Sequence, residues 1–235
     1  AGCCEANEMA KRQAVKVGSV ATTPSGDQSP AQVYLSGQED FVIPMVFSDY
    51  KIQVDGPEAN IFGYKIKIPS QKAPYLGHAG VLVINGRTGL SKYYEYGRYP
   101  GPGPLGRTRS GRIPDVTLKG GMIVESSLRK TLRTISSAHG QSSRISGVVL
   151  RGKVFDQALA WLKAKETENA NPKRKEYDLG NHNCMTFVSD LVDHIGLNSP
   201  FRTRVVVPSA YMEQFQLSEI DLDYDYAADT LEISD

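Results

Sequence analysis

The chain has 235 residues, which suits one large domain or a domain with appendages and allows a substantial core. It carries 27 Lys and Arg against 26 Asp and Glu, a net charge of +1, with 40% hydrophobic residues, a composition that excludes a highly charged disordered polymer. Its 3 cysteines exclude a dense disulfide framework, and no apolar run reaches transmembrane length.

Residues 1–30, with Thr22-Thr23-Pro24-Ser25-Gly26 among them, read as a flexible lead-in. No apolar stretch there precedes a cleavage site. The chain is therefore expected to be made as a soluble cytoplasmic protein, and to leave the cell, if it does, without a general secretory signal. Cys3 and Cys4 are adjacent, a spacing that strains a mutual bridge. Residues 31–204 are expected to form the main domain. Strand-like segments run Phe41–Phe47, Tyr50–Val54 and Ile61–Ile68, the last with alternating hydrophobicity. His78–Ile84 is a short apolar run that predicts a buried strand, and Lys92–Tyr99 is its hairpin partner across Asn85-Gly86 and Thr88-Gly89. The sheet core is thus placed between about residues 40 and 100.

Pro100–Gly121, rich in Gly and Pro and carrying Arg107, Arg109 and Arg112, is too long for a simple connection and predicts a rim or lid. Ser126–Ala138 has helical spacing at Leu128, Leu132 and Ile135, with Gly140 as the stop. Ile145–Leu150 reads as a strand, and Val154–Ala164 as a second helix with Phe155, Leu159 and Leu162 on one side. Thr167–Gly180 is a polar connection, and Met185–Ile195 is a third helix ended by Gly196. Sheet first and helices later is an α+β pattern. After Arg204 there is no Lys or Arg, while Glu213, Glu219, Asp221, Asp223, Asp225, Asp229, Glu232 and Asp235 follow. Residues 205–235 are therefore expected as an acidic C-terminal tail, solvated or folded back on a basic body.

Chemistry concentrates at two places. Asn181-His182-Asn183-Cys184 opens the third helix, and Gly77-His78-Ala79-Gly80 opens the apolar strand. Only a thiolate attacks well, and both a helix N-terminus and a nearby imidazolium stabilise negative charge on sulfur. Attack on a carbonyl would form an oxyanion that the first backbone N–H groups of the helix could hold. The residues alone leave two readings of Cys184, a nucleophile or a small buried hydrophobe. The polar introduction argues for the first.

Asn183-Cys184-Met185-Thr186-Phe187-Val188 is similar to the Asn-Cys-x-x-Phe-Val element of circularly permuted, papain-like NlpC-type proteins, the group that includes lecithin retinol acyltransferase-like enzymes. His78 precedes Cys184, the order of that permuted group, and Gly77-His78-Ala79-Gly80-Val81 resembles its histidine strand. Lys153–Ala158, Tyr177 and Asn181–Cys184 follow the spacing of the region leading into the nucleophile, so the resemblance covers about residues 40 to 196. It implies an antiparallel sheet packed against a nucleophile helix and accessory helices, with Cys184 as nucleophile and His78 as base. It also places a third, orienting group just beyond the histidine strand, within Tyr93–Tyr99. Glu95 is the acidic candidate there and Asp49 its competitor. Register decides whether Glu95 faces the imidazole, and a charge pair with Arg98 is the alternative. The tyrosines beside Glu95 either line a groove or pack the sheet edge.

The other histidines carry less. His182 reads as a solvated turn residue or a substrate contact, and His139 and His194 suit helix C-termini. No grouping has metal-ligand spacing and no phosphate-cradling Gly loop is present, so neither metal nor cofactor is expected. The Arg-rich loop lacks aromatic interleaving, so no nucleic-acid partner is expected. The resemblance implies a cysteine hydrolase cleaving an amide bond in peptidoglycan peptide. It further implies a type VI secretion effector acting in the periplasm of a target cell, with a cognate immunity protein and a secretion-system carrier as partners. Acyl transfer or lipid deacylation on the same fold is the first alternative, although no apolar membrane-docking segment is seen. A non-catalytic binding module is the second.

Overall fold

The computed structural model describes residues 39–53 and 76–234, together with the backbone of short strands at 32–34, 59–61, 64–66 and 72–73. The expected lead-in, with Cys3 and Cys4, lies outside these residues, as do parts of the strand-like segments Tyr50–Val54 and Ile61–Ile68.

Asp40–Phe47 (β1) and His78–Ile84 (β2) are apolar at nearly every position, and every residue in both is buried. Strands of that kind need cover on both faces. They form the middle of a seven-stranded sheet with Ser91–Gly97 (β3), Arg107–Gly111 (β4), Ile145–Gly152 (β5), Ile220–Asp225 (β6) and Thr230–Ser234 (β7). The spatial order is β7-β6-β5-β1-β2-β3-β4, antiparallel at every pair. Side chains alternate between faces along each strand. Phe41, Ile43, Phe47 and Leu82 meet Leu128, Leu132 and Ile135 of Glu125–His139 (α1). Val42, Val46, Val81 and Val83 meet the opposite layer, Phe155–Thr167 (α2), Cys184–His194 (α3) and Pro208–Gln216 (α4). Each fully buried Leu or Val in these layers is worth about 1.5–3 kcal/mol. The sequence expectation of an α+β chain with an antiparallel sheet holds.

Two details fix the central strands. Pro44 has no N–H to give, and the β1–β5 ladder lapses beside it, between the pairs Gly147↔Met45 and Leu150↔Val42. Asp40 is buried and accepts from the N–H groups of Gly86 (2.9 Å), Val154 (3.0 Å) and Phe155 (2.9 Å). One carboxylate thus ties the start of β1 to the β2–β3 turn and to the N-terminus of α2, where negative charge is favoured.

The structure departs from the sequence reading in two places and decides between two readings in a third. Ile61–Ile68 is not one strand, since Ala59–Ile61 pairs antiparallel with Tyr64–Ile66. The Arg-rich stretch is not all loop: β4 lies in it and pairs with β3 from Tyr93↔Gly111 to Gly97↔Arg107. The acidic C-terminal segment is built into the fold as α4, β6 and β7. Proline stands in the first turn of α4, where its missing N–H costs nothing. In β6, Leu222 and Tyr224 are buried while Asp223 is exposed, and Asp229 in the following turn pairs with Arg129 of α1 at 3.0 Å. Asp223 thus points to solvent from an edge hairpin, while Asp229 at its turn meets the basic face of α1.

Candidate active site

The first turn of α3 is set by Asn183. Its side-chain oxygen accepts from the N–H groups of Met185 (2.9 Å) and Thr186 (3.0 Å), and the Thr186 hydroxyl accepts from the Asn183 N–H (2.9 Å). This reciprocal cap is worth about 0.5–2 kcal/mol. The Asn183 amide nitrogen also donates to the carbonyls of Leu179 (2.8 Å) and Val206 (2.7 Å). Cys184, the next residue, therefore begins the helix in a tightly held position and is 1% exposed. Because Asn183 takes the Met185 and Thr186 donors, the Cys184 N–H is the first-turn donor left for an oxyanion.

His78 is the first residue of β2. Gly77 turns the chain into it at φ +72°, and a Cβ there would come within 2.8 Å of both Ser209 Oγ and Val46 Cγ1, so only glycine fits. The β2–β3 register pairs Gly80 with Glu95, which puts His78 and Glu95 on one face at one end of the sheet. His78 Nε2 lies 3.0 Å from Glu95 Oε2 and 3.0 Å from the Tyr99 hydroxyl. With Nε2 turned to Glu95, Nδ1 is the nitrogen left for the thiol. The Tyr50 ring sits 4.9 Å from the imidazole, centre to centre.

Glu95 is 0% exposed and receives four donors. Tyr93 donates its hydroxyl to Oε2 (2.7 Å), the Arg109 guanidinium bonds Oε1, and His139 Nδ1 lies 3.1 Å from Oε1. Gly80 leaves the space that the Tyr93 ring fills. Arg109 also lies 3.7 Å from the centre of the Tyr99 ring. Burial acts to raise the Glu95 pKa. Hydrogen bonds from His139 and His78 and the charges of His78 and Arg109 overcome it and hold the carboxyl far below the usual carboxylate range. Burial likewise opposes charge on His78, yet hydrogen-bonding and electrostatic interaction with Cys184 and with Glu95 raise its pKa from 6.5 to about 9. An imidazole of that kind carries its proton at neutral pH. Tyr177 completes the surround. Burial first, then its interaction with the Cys184 side chain, pushes its hydroxyl well above 10, so it remains a donor.

A family model for TseH-like Type VI secretion system effectors matches residues 42–196. The chain belongs to this family. It is 51% identical to the protein in the crystal structure of the Type VI secretion system effector TseH, over 85% of this chain and 100% of that one, with a TM-score of 0.75. No curated protein sequence matches. His78, Glu95, Tyr99, Arg109, His139, Tyr177 and Cys184 all fall within the family span, whereas α4, β6 and β7 lie beyond it.

Of the four residues singled out in the sequence, the structure gathers Cys184, His78 and Glu95. Asp49 stands apart: its carboxylate is bound by the Arg144 guanidinium (3.1 and 3.2 Å) at the surface, and it makes no hydrogen bond to His78 among the described residues. Glu95 pairs with Arg109 rather than Arg98. His182 is half-buried against the Tyr96 ring, 5.2 Å away, not a solvated turn residue. His139 does lie in the last turn of α1, but its ring is turned onto Glu95. Sequence reasoning missed His139, Arg109, Tyr93 and Tyr99 as partners of the site. Only Tyr93 and Tyr99 carried a signal, their closeness to Glu95 in the chain. Among the described residues there is no metal-binding group of His, Cys, Asp and Glu, and no helix is long and apolar enough to cross a membrane.

Proposed function

We propose that this chain is a cysteine hydrolase with a permuted papain-like arrangement that cleaves an amide bond in peptidoglycan peptide. In this reading it is delivered by a type VI system as an antibacterial effector and neutralised in the producing cell by a cognate immunity protein. The observation that carries the chemistry is His78, held between the buried Glu95 carboxylate at 3.0 Å and the thiol at the start of α3. The order histidine before cysteine and the packing of the nucleophile helix on an antiparallel sheet support the fold assignment. Family membership supports the effector role.

The steps follow from these positions. His78 takes the Cys184 proton before the substrate is attacked, which leaves it as the imidazolium described above. The sulfur then bonds to the carbonyl carbon, sending an electron pair onto oxygen. The Cys184 N–H and the Tyr177 hydroxyl are the donors placed to hold that oxyanion. Collapse breaks the C–N bond, His78 gives its proton to the departing amine, and a thioester remains on Cys184. Water, deprotonated by His78, attacks the thioester, releasing the carboxylic acid and the thiol. Glu95 keeps the imidazole oriented and balances its charge throughout.

Expression of the Cys184→Ala protein in a periplasmically targeted form tests the reading, with purified murein and phospholipid assayed in parallel. Toxicity and murein cleavage that persist undiminished would remove the catalytic claim, and release of fatty acid alone would move the activity to lipid. A second reading, a binding module with a structural Cys/His contact, draws on the 1% exposure of Cys184. A Cys184 thiol no more reactive to mild alkylation than a free cysteine peptide would favour it.

A further inference from the structure

A cavity beside the nucleophile is left unused by the steps above. Among the described residues its walls include Ile52, Leu76, Leu179, Val205 and Val207, and it reaches the nucleophile's segment through Asn183 and Tyr177 rather than through Cys184 itself. Leu76 lies two residues before His78, and Asn183, immediately before Cys184, also lines the cavity. Tyr177 belongs to both places, lining the cavity and interacting with the Cys184 side chain. No side chain that carries charge lines it, so an ionised group entering would lose water without gaining a partner. The cavity measures about 30 Å3, on a scale where one water needs about 10–15 Å3. That is room for two or three heavy atoms.

We infer that this cavity is a specificity pocket for a small aliphatic group, alanine- to valine-sized, carried on the acyl side of the bond that Cys184 attacks. It has no room for the long chain of a lipid acyl group. The inference rests on the cysteine-hydrolase reading and names the substrate class of that same site.

The full chain is assayed with p-nitrophenyl acetate, propionate, butyrate and octanoate. With each, Cys184 Sγ bonds to the acyl carbon, p-nitrophenolate leaves, and water then frees the acid and restores the thiol. Wild-type kcat/KM is expected to favour the two- to four-carbon esters over octanoate by about tenfold or more. Leu179→Ala and Val205→Ala, each checked for a retained thermal transition, enlarge the pocket. They are expected to raise the octanoate-to-acetate ratio by about fivefold or more. Ratios within about twofold of wild type in both variants, with Cys184 still acylated in intact-protein mass spectra, overturn the pocket and leave the nucleophile standing. Failure of any ester to acylate Cys184, or equal turnover by Cys184→Ala, overturns the hydrolase reading itself.

Discussion

Replacing Glu95 with Gln is the most demanding perturbation of this site. Glu95 is fully buried, and each carboxylate oxygen takes two donors, from His78 and Tyr93 on one side and from Arg109 and His139 on the other. Gln keeps the shape but presents one NH2 to donors already in place, and it leaves the Arg109 and His78 charges unbalanced. Removing one partner of a buried ion pair costs about 3–5 kcal/mol. In a domain of this size that is a fall of about 6–20 °C in Tm.

The pH dependence gives a second, sharper readout. The folded pKa of His78 is raised, so its contribution to stability is complete below its ordinary value of 6.5 and is lost as pH rises through about 9. That shift corresponds to about 3 kcal/mol, shared between the interactions with Cys184 and with Glu95. The Glu95 pKa is depressed, so its contribution is present above its ordinary value of 4.5 and is lost as pH falls below it. Wild-type stability should therefore plateau between about pH 4.5 and 6.5 and decline on both sides. In Glu95→Gln the alkaline decline should shrink by at least about 1 kcal/mol, the remainder being due to Cys184, and the acid limb should flatten. Denaturant unfolding from about pH 2 to 9.5, followed by circular dichroism, measures both limbs. An alkaline decline identical in the two proteins, with the fold intact, would refute the coupling between Glu95 and His78. Murein cleavage should fall about 10³-fold or more, as expected when the orienting charge behind a catalytic imidazole is lost.

Two further substitutions separate the remaining roles. Asp49→Asn breaks a surface pair whose side chains are 50% and 63% exposed, so stability should change by no more than about 1 kcal/mol and murein cleavage by less than about twofold. A tenfold loss of activity would bring Asp49 into the site after all. Tyr177→Phe removes the hydroxyl placed beside Cys184 and should lower kcat about tenfold to 10³-fold with little change in KM. A rise in KM at constant kcat would instead make Tyr177 a substrate contact.

Much of the plan of this protein is local and was readable from the chain. His78–Ile84 reads as a buried strand because an unbroken apolar run leaves no face for water. α3 begins where Asn183 and Thr186 supply reciprocal caps, so the placement of Cys184 at a helix start is a property of four consecutive residues. The edge hairpin of β6 and β7 was obscured because its acidic residues fall on alternate positions, and charge density masked the period-two pattern of Leu222 and Tyr224. β4 was obscured for a related reason. Arg107–Gly111 has no apolar residue, and it is a strand only because β3 offers it a free edge.

The choice of third residue shows what the chain alone could not decide. Glu95 and Asp49 are both acidic residues near a strand that borders β2, and composition cannot rank them. The Gly80↔Glu95 register turns one carboxylate onto the imidazole, and Arg144, 95 residues beyond Asp49, claims the other. His139 and Arg109 reach Glu95 from 44 and 14 residues away, through the end of a helix on one face and an edge strand. The sequence by itself determined the elements and the caps that start the histidine strand and the cysteine helix, because propensity, periodicity and capping act over a few residues. Only the tertiary structure decided which charges meet at Glu95 and what small cavity lies beside Cys184, because both depend on side chains brought together across long separations.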